Sequence, residues 1–360
     1  MILLFGVVVL FSIMGLKKTN GNQTDYMSVN VTNSIKGIFL CMVFFSHIWT
    51  YADFAHPYLD APYQLVRRVT GQCIVAMFLF YSGYGIMESI KKKGKNYVRK
   101  IPVHRFLKVL LLFDSALALF FGYRYLTGSQ FGVKKIILTL AGWDSIGNSS
   151  WYIFCVLWLY IFTFITFTVF GLNHRKAVFG IFVLSLLYMA IISALGKEYW
   201  WYDTILCYFW GMLFSLYRGK VEHFINENFR SWLFFISVFA TGFISLYFYK
   251  NFSWVVYQLW VFCFLAFIIT FTMRYMIDSR FLRGGGANLF ELYILQRLPM
   301  MILQPCLLSD KPTALTKYIY VIACIIITVL ISIVFRKTIG RLIVKMTDSL
   351  SEFLETCFFS

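Results

Sequence analysis

Residues 318–335 read YIYVIACIIITVLISIVF, without a charged residue, a proline or a glycine. A helix satisfies its own backbone in lipid, and about 20 apolar residues cross the hydrocarbon core, so this stretch predicts a membrane span. Comparable apolar runs lie at 35–52, 69–90, 106–126, 150–172, 177–195, 200–217, 231–249, 253–273 and 287–308. The expected fold is therefore all-α: a polytopic integral membrane bundle of ten core helices. Residues 1–16 form a further apolar segment, closed by Lys17 and Lys18. It lacks a basic start and a small-residue cleavage site, which favours a retained N-terminal helix over a signal peptide. Met27 offers an alternative start. The expected divisions are an anchor or extension at 1–27, a transmembrane domain at 28–335 and a basic, amphipathic tail at 336–360.

Composition agrees with that division. Of the 360 residues 60% are hydrophobic and only 14% are charged, where soluble proteins average about 25% charged. A soluble enzyme, a disordered chain and a disulfide scaffold are excluded. The net charge of +17 does not imply nucleic acid, because no soluble basic domain exists to carry it. It marks topology instead. Alternating the predicted spans places twenty-three of the 33 basic residues on one side, which the positive-inside rule makes cytoplasmic, together with the tail. The expected location is therefore integral to a membrane, with the C-terminus cytoplasmic. The 8 cysteines contain no CxxC pair and the 5 histidines no HxxxH, so no metal site is expected.

One span carries ionisable groups where they are costly. Lys36 and His47 lie eleven positions apart in 34–47, SIKGIFLCMVFFSH. Eleven steps of about 100° bring both to one helix face, about 16 Å apart along the axis. Lys36 then sits at the cytoplasmic rim and His47 past the bilayer centre. Either His47 bonds a neighbouring helix while Lys36 snorkels, or the pair marks a functional site.

Four further segments follow in order. Residues 78–85 read FLFYSGYG, with Ser82, Gly83 and Tyr84. Arg105-Phe-Leu-Lys108 opens a helix after a basic loop. Gly147-Asn-Ser-Ser-Trp151-Tyr makes a small-residue turn before an aromatic helix. Asn288-Leu-Phe-Glu-Leu-Tyr293-Ile-Leu-Gln296 lies near the end. Together with Lys36 and His47, over roughly 34–335, these resemble the membrane acyltransferase 3 family, which includes O-acetyltransferases of cell-surface polysaccharides and fucose 4-O-acetylase-like proteins. Lys36 stands where Arg is usual, Gln296 where His is usual, and the proline usual after the basic pair is absent.

The resemblance implies transfer of an acetyl or other short acyl group to a hydroxyl. His47 would act as general base or as transient acyl carrier, and acetyl-CoA would be a co-substrate rather than a bound cofactor. The acceptor would be a glycan or lipid-linked sugar. Residues 91–108 hold eight positive charges and His104, which read either as a topology anchor touching anionic lipid or as a cradle for the phosphates of acyl-CoA. Arg99, Arg105 and Lys108 are the candidates, joined by Lys36. Arg105 and Lys108, three apart, are expected on one helix face. Glu291 is the candidate carboxylate to orient His47, and Asp114, Asp203 and Arg297 also fall in predicted spans. The outer segment 53–68, with Asp53, His56 and Asp60, is a possible meeting point for a sugar. A transporter or flippase without acyl chemistry is the alternative function, and a sensor or scaffold keeping a degenerate site is a second.

Overall fold

The computed structural model describes residues 1–19, 25–54, 58, 60–308 and 312–358; His56 and Lys311 lie outside them. Among the described residues 8 helices are long and apolar enough to cross a membrane: Val29–Ile48, Cys73–Lys93, Lys95–Leu126, Trp151–Val169, His174–Ala194, Phe229–Tyr247, Trp254–Arg274 and Ala314–Cys357. This is the pattern of an integral membrane protein. The expected count of ten is not reached. Segment 200–217 starts as a short 3-10 turn and becomes helix Leu206–Asn226, which carries Arg218, Lys220 and Glu222. Segment 287–308 is split into Leu289–Leu295 and Arg297–Leu307, with Gln296 at the junction and Pro305 inside the second piece. Both segments hold polar groups that lower their hydropathy. The all-helical expectation has one small exception: Leu16–Lys18 pairs antiparallel with Tyr275–Ile277. The helix Ile2–Met14 precedes that strand.

The chain forms two compact units, with the helix Val29–Ile48 running through both. The first comprises Met1–Val43, His56–Gly94 and Phe170–Ala287. Its helices meet at glycines. A Cβ at Gly83 would fall 2.1 Å from the Tyr208 carbonyl oxygen, and one at Gly211 would fall 2.0 Å from that of Phe80. Helices Cys73–Lys93 and Leu206–Asn226 therefore touch backbone to backbone, as small residues permit in membranes. Gly37 and Gly286 act likewise, against Leu282 and Asn33. Ser82 and Tyr84 flank the Gly83 contact, and the Tyr84 hydroxyl accepts a bond from Arg218 Nη1 at 2.8 Å. Arg218 also pairs with Asp25 and Glu222, each at 2.7 Å.

The second unit comprises Phe44–Ala55, Lys95–Val169 and Asn288–Ser360. Its core joins Phe120, Ile146, Leu298 and Met301, with Tyr51, Tyr123 and Ile331 against them. Two long helices here each contain a π-helical stretch, Pro102–Leu107 and Arg336–Gly340. The tail does not begin a new element: Ala314–Phe335 passes through the second stretch directly into Arg341–Phe358.

The glycine contacts give a paired test on one helix. Gly83→Ala should destabilise the protein by about 1–3 kcal/mol through overpacking. Gly85→Ala, with nothing within 4 Å of its Cβ, should be neutral in thermal unfolding in detergent. Equal stabilities would contradict the close helix approach.

Candidate functional site

His47 lies in the last turn of helix Val29–Ile48. Its side chain is half-buried, yet its Nδ1 is buried without a hydrogen-bond partner among the described residues. Its ring centroid stands 6.3 Å from that of Tyr293, and the Tyr293 ring lies 5.2 Å from that of Tyr152. The charged side chain acting on His47 is Arg297, whose guanidinium carbon lies 5.8 Å from the centre of the Tyr51 ring. His47 is thus set among Tyr152, Tyr293 and Arg297.

The turn before helix Trp151–Val169 is tightly fixed. The Asn148 side-chain oxygen accepts from the Ile146 N–H at 3.0 Å, and the Ser145 hydroxyl donates to the Asn148 carbonyl at 2.7 Å. Arg124 Nε donates to the Ile146 carbonyl at 2.9 Å, and Lys135 pairs with Asp144 at 2.6 Å. Gly147 adopts φ 113°, a conformation open to glycine, and a Cβ there would fall 2.5 Å from Met301 Sδ. This turn presents Asn148 and Ser149, both buried, and brings Ser149 beside Tyr293. Trp151, next in the chain, stacks edge-on against Tyr152 at 5.9 Å.

Among the described residues these elements leave buried polar atoms without hydrogen-bond partners: Asn148 Nδ2, Gln296 Oε1 and Arg297 Nε as well as His47 Nδ1. Gln296 is 1% exposed and uses its Nε2 to donate to the Tyr293 carbonyl at 3.1 Å. Buried polar groups are nearly always paired, so a group of unpaired ones marks a place for a ligand or ordered water. Asn148 and Ser149 carry no individual signal in the sequence beyond the 147–151 motif, whereas Arg297 stands out there as an ionisable group in a predicted span.

Two cavities flank this layer. One, of about 760 Å³, is lined by Lys108, Asn288, Glu291, Arg336, Lys337, Arg341 and Lys345 among others. The other, of about 450 Å³, is lined by Tyr51, Tyr123, Arg124, Gly147, Met301 and Gln304 among others. Two stretches of chain connect them. Residues 288–304 run from Asn288 in the first cavity past Tyr293 and Arg297 to Gln304 in the second. Helix Lys95–Leu126 runs from Lys108 to Arg124. Between their nearest lining residues, ten positions separate the cavities on the first stretch (Glu291 to Met301) and eleven on the second (Leu112 to Tyr123), about 15–17 Å at helical rise. The His47 layer lies between them.

The other predicted residues are distributed as follows. Lys36 belongs to the first unit, where its Nζ donates to Asn33 Oδ1 at 2.9 Å and stands 6.0 Å from the Tyr81 ring centre. Lys91 is engaged by Glu88 and the Ser215 carbonyl. Arg99 and Arg105 are exposed. Arg105 lies within the π-helical stretch Pro102–Leu107, where the angular step differs from that of an α-helix. Arg105 Nε donates to the Tyr97 hydroxyl at 3.0 Å, and only Lys108 lines the cavity. Glu291 opens on that basic cavity. Two helical positions separate it from Tyr293, about 200° around the axis.

Residues 32–337 match one family model, described as an acyltransferase domain. No curated protein and no solved structure matches the chain significantly.

The half-satisfied Gln296 amide separates function from stability. Gln296→Met keeps the volume, and it removes a buried oxygen with no partner among the described residues together with the Nε2 bond to the Tyr293 carbonyl, one loss offsetting the other. Stability should stay level or rise by up to about 1 kcal/mol, while acyl transfer falls. Lower stability with unchanged transfer would assign the amide to the fold alone.

Proposed function

The chain belongs to the acyltransferase 3 family, and from that premise we propose a membrane O-acyltransferase that moves an acetyl or other short acyl group from cytoplasmic acyl-CoA to a hydroxyl of a cell-surface polysaccharide or glycolipid. The observation that carries it is the His47 layer, unpartnered at Nδ1 and set between two cavities of different character. Five cations and one carboxylate line the larger cavity, which suits a polyanionic donor. The second cavity joins Tyr51, Tyr123, Arg124 and Gln304, a mixture of rings and hydrogen-bonding groups that suits a sugar.

The donor enters from the cytoplasmic side of a bacterial inner membrane, the side that carries most Lys and Arg and the tail. Its thioester extends along 288–297 to His47. The acceptor hydroxyl approaches by way of Tyr51 and Gln304. The two less apolar segments, 200–217 and 287–308, cross with the other eight and supply polar lining, which accounts for their low hydropathy.

The chemistry balances in either of two routes. As general base, His47 takes the hydroxyl proton while the oxygen attacks the thioester carbonyl. The C–S bond breaks, and the proton passes to the CoA thiolate. As carrier, the imidazole attacks first, releases CoA thiol, and yields its acyl group to the hydroxyl. In both, the carbonyl oxygen gains negative charge, and Arg297 beside His47 is the cation placed to stabilise it.

The test is transfer from labelled acetyl-CoA by purified protein. His47→Ala and His47→Gln should lose transfer by about 100-fold or more and still bind CoA. Normal transfer by either variant would remove His47 from the reaction. Labelled acyl group trapped on His47 without acceptor would establish the carrier route. A wild-type protein that neither transfers nor hydrolyses would favour transport.

A further inference from the structure

The larger cavity owes most of its charge to residues of the tail. Arg336, Lys337, Arg341 and Lys345 line it opposite Lys108 and Glu291, and the last two lie beyond the family match, which ends at 337. The tail is held in place by its other half. Asp348 meets His104 at 3.5 Å and Glu355 meets Lys100 at 3.0 Å, both on the first part of helix Lys95–Leu126. The acidic end of the tail is thus neutralised against 95–108. The basic end is not: Lys108, Lys337, Arg341 and Lys345 form no ion pair among the described residues. Arg336 is committed, donating to the Asn288 side-chain oxygen.

The helix that carries these cations also fixes their order. Ile331 packs against the core of Phe120, Ile146, Leu298 and Met301. Lys345 lies fourteen positions further along the same helix, roughly 21 Å at helical rise. Arg341 and Lys345 therefore lie beyond Ile333, toward the end of the cavity away from that core. The π-helical stretch Arg336–Gly340 lies between, and such stretches re-aim side chains at functional sites.

Resting on the acyl-CoA reading above, we infer that Arg341 and Lys345 bind the 3′-phosphate of the donor, making the tail helix part of the cofactor site. The donor is a linear molecule with its thioester at one end and its 3′-phosphoadenosine at the other. With the thioester at His47, the phosphate monoester falls at the far end of the cavity. A phosphate monoester carries close to two charges at neutral pH and accepts several charge-assisted hydrogen bonds. Two cations without protein partners match it. Lys108, on the facing helix, is left for the pyrophosphate.

The experiment compares CoA with dephospho-CoA, which lacks only the 3′-phosphate. Binding is measured by calorimetry on the full chain in nanodiscs of zwitterionic lipid, and again with anionic phosphatidylglycerol added. Wild type should prefer CoA by about tenfold or more. Arg341→Ala/Lys345→Ala should weaken CoA about 10- to 100-fold and leave dephospho-CoA within about twofold. The apparent KM for acetyl-CoA should rise by the same factor with kcat retained. Arg341→Lys/Lys345→Arg, which keeps both charges and guards against a folding defect, should restore most of the affinity. An equal loss for both ligands, or none, would overturn the assignment and leave the tail as scaffold. Unchanged CoA binding with lost association to phosphatidylglycerol would make it a lipid headgroup site. Intact transfer by a wild type that does not distinguish the two ligands would defeat this inference alone. No CoA binding at all would defeat the acyl-CoA reading with it.

Discussion

A buried imidazole nitrogen without a hydrogen-bond partner costs about 1–3 kcal/mol, and the second unit is organised around one. His47 Nδ1 could have been satisfied by a single serine or carbonyl on a neighbouring helix. Instead it faces Tyr293 and Arg297, in a layer where Asn148 and Gln296 are also only partly satisfied. The turn at 144–150 is costly to form and tightly held, with Gly147 in a conformation other residues avoid. Such expense in a region of strong local bonding is typical of preorganised sites, where polar groups wait for a substrate rather than for each other.

The charges follow from the same need. A polyanion approaching from water must lose its hydration, and fixed cations offset that loss only if no protein carboxylate already neutralises them. Arg218 shows the opposite case: it is enclosed by Asp25, Glu222 and Tyr84 and has a structural role. Lys91 is similarly occupied by Glu88. Lys108, Arg341 and Lys345 form no ion pair among the described residues and line a cavity. Counting basic residues by side of the membrane treats all of these alike, whereas their partners separate anchors from ligands.

Much of the fold was legible because lipid imposes one rule, apolar runs of fixed length, and eight spans obey it plainly. The two segments that escaped it, 200–217 and 287–308, are interrupted by polar residues, and hydropathy cannot say where a helix breaks. The strand pair at 16–18 and 275–277 joins residues far apart in sequence, beyond any local pattern. For the site, the spacing of Lys36 and His47 was readable because helical periodicity is regular. The angular relation of Arg105 to Lys108 was not readable in the same way, because Arg105 lies in a π-helical stretch. The tail cations were legible as charge but not as a site, since only tertiary packing carries residues 341 and 345 back to Lys108. Gln296 stood out as a departure from the family pattern, yet its burial beside Tyr293 appears only in the fold.

The central claim is that acyl transfer runs through the second unit, from the basic cavity past His47 to the cavity at Tyr51 and Gln304. Sided proteoliposomes test it directly. With orientation fixed, labelled acetyl-CoA is supplied only on the side of the tail and a glycan acceptor only on the other. The label should appear on the acceptor across the membrane, and reversing the two supplies should abolish transfer. Transfer only when donor and acceptor share one side would contradict a path through the layer that holds His47.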